Sequence, residues 1–147
     1  MAAAESVGWK PAPQALIDSI KQSSGEVQDP QVRVFKDAQG VRLLIAGHGA
    51  SPRHPQIIGR SCLLVVTPAN WSDFAQKISQ IADVPAEPGS GNNGAIYVWH
   101  EQNGIHVAFP ANHPDILTLE KSAGTVLLGL AQKDKSTLMA FFISDGK

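Results

Sequence analysis

Residues 61–83, SCLLVVTPANWSDFAQKISQIAD, constrain the fold more than any other stretch of this chain. Cys62, Leu63, Leu64, Val65 and Val66 form an unbroken apolar run, the pattern of a strand covered from both sides. Thr67 and Pro68 then supply an N-cap and a proline at the first helical position, which predicts a helix over residues 68–83. Trp71, Phe74, Ala75, Ile78, Ile81 and Ala82 recur at helical spacing, with Asn70, Asp73, Gln76, Lys77 and Gln80 left for water. A buried strand feeding a helix that can lie on a sheet is the unit around which the rest must arrange itself.

Before that unit, residues 1–12 are small, Pro-containing and without period, and read as a flexible N-terminal arm from which Trp9 packs back onto the domain. Residues 13–24 carry a narrow Leu16–Ile17–Ile20 stripe with Gly25 at the C′ position, a short helix. From Val32 the period becomes two. Residues 32–36 and 41–46 flank the turn cluster Asp37, Ala38, Gln39, Gly40, so a hairpin is expected with Val32, Val34, Leu43 and Ile45 on one face and Arg33, Phe35, Arg42 and Leu44 on the other. Residues 47–60 hold three Gly and two Pro without sustained periodicity and read as a long loop, a length that in compact domains is often functional.

After the helix, residues 84–93 form a second break, with GSG at 89–91 lacking the Lys of a phosphate-binding loop. Asn103-Gly104 is the strongest hairpin signal present, because a type I′ turn needs positive φ at both positions. With Gln102 opposite Ile105, one face carries Ile96, Val98, His100, Ile105, Val107 and Phe109, and the other Tyr97, Trp99, Glu101, His106 and Ala108. A polar connection over 110–122 leads to a last hairpin, residues 125–131 and 137–143, whose strands are apolar on both faces.

These elements define an α+β fold in one domain, residues 13–147, with a mainly antiparallel sheet of about seven strands and two helices. The alternative is a closed or sandwiched β structure with a packed helix. At 147 residues the chain can bury a core without disulfides, and its single Cys62 reads as a buried thiol in a cytoplasmic protein. No run approaches the roughly 18 consecutive apolar residues of a membrane helix.

Charge is segregated. The four arginines, Arg33, Arg42, Arg53 and Arg60, lie within 28 residues, and no Asp or Glu occurs over 38–72 although the net charge is −1. Guanidinium forks suit carboxylate and phosphate, so Arg33, Arg42, His48, Arg53, His54 and Arg60 form a candidate small-anion site. A pI of 6.5 and the lack of any nucleic-acid-binding motif argue against a nucleic-acid partner. The five histidines show no metal-ligand spacing, so neither a metal nor another cofactor is expected. No nucleophile motif occurs; Ser61 or Cys62 beside a histidine would be the only guess, and Glu101–His106 the only acid–base pair.

Two functions remain. One is a non-catalytic protein-interaction module that self-associates as a homodimer through a sheet face or edge, with Tyr97, Trp99 and His106 as an exposed contact face. Its basis is that two-sided apolar strands outnumber the helices able to cover them, and that a final strand lying at a sheet edge is a pairing template. The other is a small-anion binder or enzyme using the 47–60 loop.

Overall fold

Eight strands pair into one open sheet in the order β1-β2-β3-β4-β8-β7-β5-β6, with every pairing antiparallel. The computed structural model describes residues 2–23, 27–51, 56–88 and 93–146. In chain order the elements are α1 (Ala2–Ser6), β1 (Lys10–Pro11), α2 (Gln14–Ser23), β2 (Val27–Asp37), β3 (Gly40–Ala50), β4 (Ile58–Thr67), α3 (Trp71–Ala82), β5 (Gly94–Gln102), β6 (Ile105–Ala108), α4 (Ile116–Glu120), β7 (Thr125–Lys133) and β8 (Ser136–Ser144). The fold is α+β with a mainly antiparallel sheet; the sheet has β1 and β6 as its edges and is not closed.

Two of the three tight turns among the described residues show how local chemistry sets them. Asp37 pairs with Gly40, and the Asp37 carboxylate accepts from the Gln39 and Gly40 N–H groups. Gln102 pairs with Ile105, and Asn103 and Gly104 take φ of 53° and 76°, as a type I′ turn requires.

Several boundaries move. Thr67 does not cap a helix: it pairs with Val41 as the last residue of β4, the Thr67–Pro68 peptide is cis, and Asn70 is the N-cap of α3, accepting from the Asp73 N–H. The expected helix over 68–83 is therefore Trp71–Ala82. Within the expected N-terminal arm lie α1 and β1; Lys10 pairs with Val34, and the Trp9 ring packs tilted against Phe35 with centroids 5.8 Å apart. Much of the expected 47–60 loop is strand, since β3 runs to Ala50, β4 starts at Ile58, and the two pair through Gly47↔Ser61, His48↔Arg60 and Gly49↔Gly59. Gly59 lets β8 approach closely: an added Cβ would collide with the Ile143 carbonyl and lie 2.6 Å from the Phe142 ring. Gly25 and the 89–91 GSG lie outside the described residues.

The core has two parts, one on each face of β5, β7 and β8. On one face α3 brings Ile78 and Ala82 onto Tyr97, Trp99, Val126, Leu128 and Leu130. On the other, Leu119 of α4 and Ile57 cover Val98, Leu127 and Phe142. Among the described residues neither face of β3 and β4 has such a cover: Leu43, Leu44, Ile45, Ala46 and all of 62–66 are half-buried. The last strand, expected at an edge, is central, between β4 and β7.

Candidate functional site

Cross-strand partners in an antiparallel sheet share a face, so the register assigns the basic residues to one side. Arg33 pairs with Leu44, Phe35 with Arg42, and His48 with Arg60. Residues two apart on a strand stay on the same side, so Arg42, Leu44, Ala46 and His48 of β3 face the same way as Val66, Leu64, Cys62 and Arg60 of β4. The result is an apolar strip of Leu44, Ala46, Cys62, Leu64 and Val66, closed at one end by Arg42 and at the other by His48 and Arg60.

Three of these basic groups already face internal carboxylates or carbonyls. Arg33, at 14% side-chain exposure, meets Glu5 of α1 at 2.7 Å and donates from Nη1 to the Val32 carbonyl. Arg42 donates from Nη1 to Asp37 Oδ2 at 3.0 Å and sits 5.1 Å over the Phe35 ring. Partial desolvation is the largest influence on Asp37 and opposes its ionised form. The Gln39 N–H, Arg42 and the Gly40 N–H together outweigh it, and its carboxyl is held below the ordinary value. His48 Nε2 is 2.7 Å from Asp145 Oδ2. Arg60 is exposed and has no hydrogen-bond or ion-pair partner among the described residues. Arg53 and His54 lie outside the described residues. The structure thus brings Arg33, Arg42, His48 and Arg60 onto one face but converges only His48 and Arg60, which are cross-strand neighbours.

The Tyr97–Trp99 face is core, not surface. Tyr97 and Trp99 are 5% and 3% exposed beneath α3, whose own apolar stripe lands on them. His106 is only half-buried; its Nδ1–H donates to the Ala82 carbonyl at 2.7 Å, and its ring lies 4.7 Å from Trp99. Glu101 and His106 are register partners, yet the imidazole bonds to the helix rather than to the carboxylate. The Cys62 thiol is pushed up by burial, and its register neighbours are Ala46 and Phe141, which gives no thiolate and no base beside it. No group of three His, Cys, Asp or Glu able to hold a metal occurs among the described residues.

Two polar clusters carry no signal in the sequence, because both are assembled from distant segments. Ser51 donates to Glu120 Oε2 at 3.2 Å, with both residues 1% exposed beside a cavity of about 110 Å3. Thr125 Oγ1 donates to the Leu119 carbonyl at 2.8 Å, and Ser144 Oγ donates to the Glu120 carbonyl. These bonds tie α4 to the ends of β7 and β8. Elsewhere His113 Nε2 meets Glu87 Oε2 at 3.1 Å, both side chains nearly buried. Its Nδ1–H donates to the Pro114 carbonyl, which raises the His113 pKa; desolvation opposes this, and Glu87 adds to it.

No family model, curated protein or solved structure matches this chain. No helix among the described residues is long and apolar enough to cross a membrane.

Proposed function

We propose that this chain is a non-catalytic interaction module that associates with a second copy of itself through the open face of β3 and β4. The observation that carries this reading is the half-buried strip of Leu44, Ala46, Cys62, Leu64 and Val66. A strip apolar on both faces of a strand is stable only when covered, and the helices here are too short to cover it. Eight strands at about 4.8 Å spacing are about 34 Å wide, whereas the 12 residues of α3 span only about 18 Å even if laid straight across.

A second copy is the occupant that suits the surroundings of the strip. Its rim holds both signs of charge, in Arg42–Asp37, His48–Asp145 and Arg33–Glu5, and mixed charge around an apolar centre is self-complementary under two-fold symmetry. The edges favour a face over edge pairing, since β1 has two residues and β6 four, and short edge strands are poor templates. The anion reading keeps Arg60 but loses Arg33, Arg42 and His48 to Glu5, Asp37 and Asp145. A cytoplasmic setting suits the half-buried free thiol of Cys62.

Sedimentation velocity from low to high micromolar concentration tests the reading. The expected result is a concentration-dependent rise from 15.6 kDa to twice that mass, abolished by Leu64→Lys in a protein that keeps its circular dichroism. A single species of monomer mass at every concentration would overturn it.

A further inference from the structure

The C-terminal half of α3 does not close fully onto the sheet. Between them lies a cavity of about 220 Å3 walled by Trp99, Leu128, Met139 and Phe141, with Glu101 and His106 at its polar side. Ile81, at its mouth, is 65% exposed, an unusual position for the apolar stripe of a helix. An apolar cavity of roughly 150 Å3 suffices for benzene, so this one has room for a fused two-ring system.

The polar side has a defined sense. A carbonyl oxygen only accepts, so the bond to Ala82 places the His106 proton on Nδ1. In the neutral ring Nε2 then carries the lone pair, and it has no hydrogen-bond partner among the described residues. Glu101, the register partner of His106, is a second acceptor on the same face. Aromatic rings and a thioether on one wall with acceptors on the other match the make-up of a small-ligand pocket.

We infer that this cleft is a binding site for a planar aromatic molecule of about two fused rings bearing one N–H or O–H donor, lying against the cavity wall that Trp99 and Phe141 form together, with its donor on His106 Nε2. The cleft lies on the same face as the β3–β4 strip and beside it, since its Met139 and Phe141 are the register partners of Leu64 and Cys62. The ring system fills space that the core leaves open, and the donor satisfies an imidazole nitrogen that α3 already orients.

Titration of 15N-labelled protein with indole, followed by NMR, tests this, with 1-benzofuran as a probe of the same shape that lacks the N–H. The expected result is saturable shifts at the Trp99 side-chain N–H and at the Leu128 and His106 amides, with benzofuran at least about fivefold weaker, the worth of one hydrogen bond near 1 kcal/mol. In His106→Phe the two probes should bind equally, and in Ile143→Phe, which adds bulk to the cavity wall, neither should bind. If these variants fail to fold, the comparison of the two probes on the natural chain decides. Equal binding of both probes to the natural chain, shifts located away from the cleft, or no saturation with indole would each overturn the assignment.

Discussion

β5 and β7 are apolar on both faces, and so are β3 and β4, yet the two pairs meet different fates. In the first pair α3 lies on one side and α4 with Ile57 on the other, and Tyr97, Val98, Trp99, Val126, Leu127 and Leu128 are all 6% exposed or less. In the second pair every apolar residue from Leu43 to Ala46 and from Cys62 to Val66 is half-buried, and α2 packs on the neighbouring β2. Two-sided hydrophobicity therefore states a demand for cover. It does not say whether the cover comes from the same chain.

The largest expected effect lies in the covered half. Trp99→Ala should cost about 3–5 kcal/mol in urea unfolding, since it removes a 3%-exposed ring from under α3. A loss under about 1 kcal/mol would mean that α3 does not seal this region.

A matched pair of leucines compares the halves directly. Leu128→Ala, at a position 3% exposed, should cost about 2–5 kcal/mol, while Leu64→Ala, measured on dilute monomer, should cost about 1 kcal/mol because less apolar area leaves the protein interior. Equal losses would erase the distinction between the two halves. A Leu64→Ala cost that grows with protein concentration would sharpen it, by showing that the missing cover is a second molecule.

Polar anchoring of α4 predicts a smaller change. Thr125→Val keeps the shape but removes one of the bonds to the Leu119 carbonyl, which still accepts from the Ser122 N–H, so about 0.5–1.5 kcal/mol should be lost by thermal or urea unfolding. At the rim of the open half, Arg42→Ala breaks an ion pair whose two side chains are each about a third exposed, and stability should fall by less than about 1 kcal/mol.

The smallest effect is a slope. His113 joins the residues after α3 to those before α4 through Glu87 and Pro114, and its pKa is raised from the ordinary 6.5. A raised pKa in the folded state means that the pair contributes fully below pH 6.5 and that this stability is lost as pH rises through the folded-state value. Unfolding free energy should therefore decline with pH above 6.5, and His113→Gln should remove that decline. A slope unchanged in the variant would assign it to another group.

Much of this was legible in the residues, and the misses share a cause. The Asn103-Gly104 turn and the 32–46 hairpin came out in the expected register because their determinants are local, two positive φ values in one and the Asp37 side chain in the other. The α3 stripe was equally plain, but its start moved by three residues because pairing of Thr67 with Val41 outweighed a local capping preference. β1 has only two residues, too few for any period, and exists because Val34 and Arg33 offer it an edge.

By itself, then, the sequence determined the α+β class, the two-sided apolar strands, the hairpin registers and the basic character of residues 33–60, since each follows from periodicity, turn chemistry or composition over short distances. The tertiary structure alone decided where α3 lands, and with that whether Trp99 is surface or core. It decided that β8 is central rather than an edge, and that Arg33 and Arg42 are met by Glu5 and Asp37. It also assembled Ser51 with Glu120 across 69 positions of chain. The physical reason is common to all of them: a periodic pattern states which face of an element must be covered, and only the packing of distant elements supplies the cover.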